Sequence, residues 1–256
     1  MNFAHFRTPG KYGRIEHDYR KNYGVALSDY LTASLPVAPS IVDRSSGIAW
    51  PMYGNDSIGD CTCAAVGHEI QAFTRYASSL VTVPESAVVD AYSAITGYDP
   101  VTGANDNGAE ISDVLNYWQK TGVGGHKIVA WATVDYWNKP LMKQVLNTFG
   151  TVYLGLEVPQ SAEYQFSAGL PWSVSKTGTN IVGGHAVPIQ RWDDAAVGVI
   201  EVVTWGALQR MTLAFCRKYV DEAYVPISQD WITANGTTIE GLALSELIAD
   251  SKALSA

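Results

Sequence analysis

The stretch Gly54-Asn55-Asp56-Ser57-Ile58-Gly59-Asp60-Cys61-Thr62-Cys63-Ala64-Ala65 constrains what this chain can fold into more than any other segment. It closes a loop on Gly59, offers Asp60 as a helix cap, and opens an apolar run with Cys61. A thiol at a helix start meets unpaired backbone N–H groups and the positive end of the helix dipole, and both favour its thiolate. Downstream, Gly183-Gly184-His185-Ala186-Val187-Pro188-Ile189 sets a histidine at the head of a strand-like run. A cysteine on a helix start and a histidine on a strand are the two halves of a thiol nucleophile and its base.

Composition allows this architecture and narrows the partners. With 256 residues and 47% hydrophobic content, the chain buries a full core without a disulfide or metal, since roughly three quarters of the extended surface is hidden at this size. One domain or two packed lobes would both fit. The net charge is −8 and no basic run exists, which argues against nucleic acid as a partner. Cys61, Cys63 and Cys216 make an odd set. The first two lie too close for an ordinary bridge and no zinc-ligand spacing occurs, so free thiols, no metal and no cofactor are expected. The segment Met1–Lys11 has no apolar stretch of the signal-peptide kind, and no run approaches the roughly 18 apolar residues of a membrane span. The expectation is a cytoplasmic protein without a secretion signal.

Periodicity divides the chain. Residues 1–34 read as a polar N-terminal arm, 35–230 as the main domain, and 231–256 as a tail with a short helix. In the main domain, about 50–125 is helical and about 126–230 is strand-rich. Apolar stripes predict helices from Cys61 to about Ala77, from Pro84 to about Ile95, and from Ala109 to Thr121, the last with Ile111, Val114, Leu115 and Trp118 on one face. Strands are expected at Ile128–Val134 and Thr151–Val158, with a helix from Leu141 to Phe149 between them, capped from Asp135. A hairpin is expected from Ala186–Trp192 and Val197–Trp205. A helix near Met211–Val220, a strand near Ala223–Ile227 and a helix from Leu242 to about Lys252 follow. Helices early and strands late give an α+β class.

A thiol hydrolase needs a nucleophile, an imidazole, a group that orients it, and oxyanion donors. Cys61 is the nucleophile candidate. Cys63 lies about 200° round the helix and packs inward, and Cys216 within Leu213-Ala214-Phe215-Cys216 reads as core. Of the five histidines, His5 and His17 fall in the arm, His126 in a Gly-rich loop, and His68 two turns along the Cys61 helix. His185 alone joins glycines to an apolar strand. The amide of Asn55, in the loop before Cys61, is placed to donate to an oxyanion together with the Cys61 N–H.

These residues resemble the papain-like cysteine peptidases from about Leu35 to Ile227. Val42-Asp43-Arg44, then Asn55 and Gly59-Asp60-Cys61, is similar to the family's mature start, with Asn55 at its oxyanion glutamine and Cys61 at its nucleophile. Asn107-Gly108 resembles the substrate-cleft glycine loop. Leu154-Gly155-Leu156-Glu157-Val158, with Phe166, Gly169 and Trp172, resembles the run before the catalytic histidine, and Gly184-His185-Ala186-Val187 matches that histidine's motif. Thr204-Trp205-Gly206 is similar to the Ser-Trp-Gly after the family's catalytic asparagine. The resemblance implies an N-terminal helical lobe carrying the nucleophile and a C-terminal antiparallel β-barrel-like lobe carrying the histidine. It also implies cleavage of a peptide or isopeptide bond in a peptide or protein substrate, with Asn107, Gly108, Gly184 and Trp205 lining the substrate site.

Several positions depart from that pattern. Aligned on Trp205-Gly206, the orienting asparagine falls on Val203, which cannot accept a hydrogen bond. Glu201, two residues earlier on the same strand face, is either the substitute, with a shift in hairpin register, or a solvated strand residue. Thr62 stands for the tryptophan after the nucleophile, and Ile58 for a disulfide cysteine. The Cys61–His185 separation falls slightly short of the family's roughly 130–150 residues. After Gly206, Leu208-Gln209-Arg210-Met211 and a helix are expected in place of a Gly-rich strand. These departures keep a second expectation open, a weak or silent papain-like module with a binding role. Gly-Asp-Cys-Thr and Val-Thr-Trp-Gly are similar to segments of phage- and prophage-encoded proteins, which points to a virion or cell-envelope partner and, if phage-encoded, a virion location.

Overall fold

The computed structural model describes residues 7–18, 24–77, 79–196, 199–235 and 242–254. His5 lies outside them, as does the 197–198 end of the expected hairpin. After a short strand at Ile41–Asp43 come three helices: α1 (Cys61–Ala77), α2 (Glu85–Thr96) and α3 (Ile111–Lys120). The expected α3 stripe of Ile111, Val114, Leu115 and Trp118 is wholly buried. Together with Phe73 of α1 and Val88 and Tyr92 of α2 it forms one apolar cluster.

Six strands of the second half and the early strand at Ile41–Asp43 form one seven-stranded sheet. Its strands are β1 (Ile41–Asp43), β2 (Ile128–Thr133), β3 (Val152–Pro159), β4 (Ile181–Asp193), β5 (Ile200–Thr204), β6 (Ala207–Met211) and β7 (Val220–Ser228). The order is β2-β7-β3-β4-β5-β6, with β1 added to β4 and all named pairings antiparallel. The sheet is open, its ends β2 and β6 unpaired with each other, so the barrel-like lobe does not close into a barrel. Helices α4 (Lys139–Phe149), α5 (Gln160–Ser167) and α6 (Leu213–Tyr219) connect the strands, and α7 (Gln229–Asn235) and α8 (Leu244–Leu254) follow. A second apolar cluster, with Leu154, Val187, Trp172 and Phe215 among its members, fills the space between sheet and helices.

Local chemistry differs from expectation at three points. The α4 cap is Asn138, whose side chain accepts from the Leu141 N–H, rather than Asp135; a cap must sit immediately before the first turn to reach its free N–H groups. The segment Ala207–Met211 is a strand, not a helix approach. It pairs with β5 across a two-residue turn, Thr204 opposite Ala207, with φ of 45° at Trp205 and 68° at Gly206. Two successive positive φ values match the twist of a tight hairpin. At the start of α1, the Asp60 carbonyl accepts from Cys63 and Ala64 N–H. Its carboxylate does not cap the helix: neither oxygen makes a well-formed hydrogen bond. Burial outweighs the help of the Asn55 amide and pushes the Asp60 pKa up to about 8, far above the usual carboxylate range.

Candidate active site

Helix α1 and strand β4 place the two candidate groups where the helical cluster meets the sheet. Cys61 is the first residue of α1 and His185 lies near the start of β4, both at most 2% exposed. The thiol faces the backbone N–H groups of Ala186 and Gly13, and burial nonetheless pushes its pKa up to about 12. Burial, with Arg14 and His68 adding to it, lowers His185 to about 3. Both groups are therefore neutral, and the proton stays on sulfur. His185 Nδ1 is buried and has no hydrogen-bond partner among the described residues, so the thiol and the imidazole are not joined.

The partner of His185 is Thr204. Nε2 and Thr204 Oγ1 are 2.7 Å apart, both buried. The ring stacks on Trp205, centroids 4.8 Å apart and planes at 28°. Trp205 takes a left-handed φ, which for a bulky residue costs about 1–2 kcal/mol. That strain turns the indole over the imidazole.

Glu201 does not take the orienting role expected of it. Register places it opposite Arg191 on β4, and its Oε1 accepts from Arg191 Nη1 at 2.7 Å. At about 3.3 Å per residue, Arg191 lies roughly 20 Å along β4 from His185. Val203 is buried at 1% exposure. Alternation along the strand gives the imidazole the next side chain, a hydroxyl that sequence reading passed over.

The remaining sequence candidates fall into place around a feature that composition did not reveal. Residues of the N-terminal arm thread the cleft between α1, the Gly108 loop and β4. Lys11 N donates to the Asn55 carbonyl at 2.7 Å. The Lys11 carbonyl accepts from Asn55 Nδ2 at 3.2 Å and from Trp205 Nε1 at 3.4 Å. Gly13 and Arg14 donate to the Gly184 carbonyl, the Gly13 carbonyl accepts from Ala109 N at 2.8 Å, and Ile15 donates to the Ala109 carbonyl. Arg14 and Ala109 thereby form a parallel bridge. A Cβ on Gly108 would overlap the Gly13 carbonyl, and one on Gly184 would overlap the Arg14 carbonyl; the cleft walls are bare so that backbone can lie against them. Asn107 itself is exposed and only its backbone, donating to the Asn105 carbonyl, takes part in the turn.

Side chains fasten the arm. Tyr12 donates to Glu163 at 2.7 Å and packs its ring against His185 and Trp205. Lys11 pairs with Asp106 at 3.1 Å. Arg14 pairs with Asp221 and Glu222, each at 2.7 Å. His17, assigned to a polar arm, is buried beside Glu110. Cys63 and Cys216 are buried in the two apolar clusters, as their sequence contexts indicated, and all three cysteines are unbridged. His68 donates to the Pro51 carbonyl at 2.8 Å. His126 contacts Asp230 away from the cleft.

One pH consequence follows. An exposed imidazole titrates near 6.5, whereas folding holds His185 at about 3. A depressed folded-state pKa contributes stability that is whole above pH 6.5 and is lost as the pH falls through 3. The His185 ring is expected to show no titration by NMR between pH 5 and 8. A midpoint between 6 and 7 in the intact protein would contradict this burial.

No protein-family profile matches the chain, and no curated protein sequence matches it. Solved structures do. Xylellain, a cysteine protease from Xylella fastidiosa, superposes with a TM-score of 0.60 and 18% identity over 86% of this chain and 97% of that one. The procathepsin B S9 of Trypanosoma congolense gives 0.56 and 11% identity over 88% and 87%. The Carica candamarcensis cysteine protease CMS1MS2, solved with E-64, gives 0.52 and 15% over 73% and 98%. Nothing in these similarities bears on a phage or virion origin. Among the described residues no helix is long and apolar enough to cross a membrane. The chain has the papain-like fold, with Cys61 and His185 at the junction of its helices and its sheet.

Proposed function

We propose that this chain is a papain-like cysteine peptidase held latent by its own N-terminal arm, with residues 35–230 as the catalytic domain. One observation carries the reading: a peptide backbone already lies in the cleft, its Lys11 carbonyl held by the Asn55 amide and Gly13 against the Cys61 thiol. In the opened cleft, Cys61 Sγ attacks the carbonyl carbon of a peptide or isopeptide bond while His185 Nδ1 takes the thiol proton. Asn55 Nδ2 and the Cys61 N–H receive the developing oxyanion. His185 then protonates the departing amine, and water releases the acyl group by the reverse proton path. Thr204 positions the imidazole through Nε2, and Trp205 covers that contact.

The arm is spared for a geometric reason. The arm runs parallel to the Ala109 segment, and the group it sets toward the thiol is the Gly13 N–H. The competing reading is a silent module with a binding role, favoured by the unjoined thiol and imidazole. Intact-mass labelling with an epoxysuccinyl cysteine-peptidase probe decides, using a Gly13→Val protein whose arm no longer fits. A single adduct, lost on adding Cys61→Ala or His185→Ala, supports the peptidase. No adduct on a folded protein supports the silent module.

A further inference from the structure

The arm is fastened most firmly at Arg14, and the manner of fastening says more than latency. Its guanidinium is 2% exposed. Nη1 donates to Glu222 Oε1 and Nη2 to Asp221 Oδ2, both at 2.7 Å. Consecutive residues on a regular strand face opposite sides, so two neighbouring carboxylates reaching one guanidinium need a local device. A register shift on β7 supplies it: Gly155 pairs with Glu222 while Leu156 pairs with Val220, leaving Asp221 as the extra residue of a bulge. Bulges of this kind re-aim a side chain. On β3, Gly155 makes room, because a Cβ there would overlap the Glu222 carboxylate. The Tyr224 hydroxyl fixes the other Glu222 oxygen at 2.7 Å.

We propose that this pocket is a substrate pocket selective for a guanidinium side chain, with Arg14 as its resident occupant. The inference rests on the peptidase reading for its catalytic part, and on Arg14 alone for its binding part. Three features favour a recognition site over a simple latch. The pocket opens directly onto the cleft, since Arg14 donates its backbone N–H to Gly184, beside His185. Two carboxylates set on successive residues match the planar fork of an arginine better than the compact point charge of a lysine ammonium. Hydrogen-bonding capacity is also left over: among the described residues the buried acceptor Asp221 Oδ1 and the buried donor Arg14 Nε have no partner. With the arm displaced, the buried Glu222 carboxylate and the partly exposed Asp221 carboxylate would both lack their guanidinium partner, and a peptide bringing arginine to this position restores both bonds. The substrate class is therefore a peptide carrying arginine in the subsite now filled by Arg14.

The test uses the full chain with Arg14→Ala, or Arg14→Met should the alanine variant not fold. Thermal melting is followed with millimolar n-propylguanidinium or n-propylammonium. The expected result is a rise of about 2 °C or more with the guanidinium alone, as binding to the folded state requires, and no rise once Glu222→Gln is added. Turnover is then compared for fluorogenic dipeptide amides in which arginine, lysine or leucine is moved through both positions. Arginine is expected to exceed lysine and leucine by about tenfold or more in kcat/KM at one position, with Glu222→Gln flattening the preference. A melting shift without turnover of any substrate supports the pocket and counts against the peptidase reading. Turnover without arginine preference, or equal melting shifts from both cations, overturns the pocket and leaves Arg14 as a latch.

Discussion

Gly13→Val is expected to turn a protein with an inert Cys61 into one whose thiol is alkylated about a thousandfold faster at pH 7.5. Gly13 lies so close to Gly59, the residue that closes the loop before Cys61, that any Cβ at position 13 would overlap the Gly59 carbonyl. The loop cannot give way easily, because Gly59 N is itself held by Asp106 at 2.8 Å. The arm must leave instead. Its departure admits water to a thiol that burial holds at about 12, and a solvated cysteine titrates near 8.5. A shift of that size raises the thiolate fraction by roughly three orders of magnitude, and the thiolate is the reacting species. Hydration restores His185 toward its ordinary range as well, so the thiolate–imidazolium couple becomes accessible. The check is the iodoacetamide labelling rate by intact mass, with Cys63 and Cys216 as internal controls. Equal, slow labelling of wild type and variant would mean the arm is not what silences Cys61.

That expectation rests on a contact that no pattern in the sequence announces. Met1 to Ser34 is polar, and polar arms are ordinarily solvated; nothing local says that Gly10, Tyr12 and Gly13 fit a particular groove. The feature that decides it is complementarity between Gly13 and the bare walls at Gly108 and Gly184, which exists only after the chain has folded. Where local periodicity governs, the reading was close. Helix α1 begins at Cys61, where the apolar run begins, and the α3 stripe is buried residue for residue. Strand β4 starts earlier than its apolar run suggests, at Ile181. Gly183 and Gly184 carry no hydrophobic signal, but they pair with Val158 and Glu157. Helix α5 was missed for a related reason, since only Ala162 and Phe166 of its face are buried. Strand β6 was masked by its turn: a tryptophan at a position of positive φ runs against turn chemistry, and it is held there by stacking on His185.

The same turn explains why the third member of the site was misassigned, and it sets the second large effect. Thr204→Val, made in the Gly13→Val protein, is expected to lower kcat by about 10- to 100-fold with little change in KM. The methyl replaces Oγ1 without altering volume, so packing persists while Nε2 loses its partner at 2.7 Å. An imidazole that can rotate spends less time with Nδ1 toward the thiol, and removing the orienting member of a triad has been worth up to about 10⁴ elsewhere. A neutral hydroxyl orients without stabilising the imidazolium as a carboxylate does, which is why the smaller factor is expected here. Thr204→Ser, which keeps the oxygen, should retain most of the activity, and Thr204→Asn should restore part of it by offering an amide oxygen. Glu201→Gln should change kcat less than twofold, because its carboxylate is engaged by Arg191 far along the strand. The pH profile separates orientation from mere folding: Thr204→Val should move the acidic limb of kcat/KM, which reports the imidazole, while a packing defect would lower the whole profile without moving it. If Glu201→Gln abolished turnover and Thr204→Val spared it, the register of β4 against β5 would have to differ from the one described, and with it the assignment of Thr204 to His185.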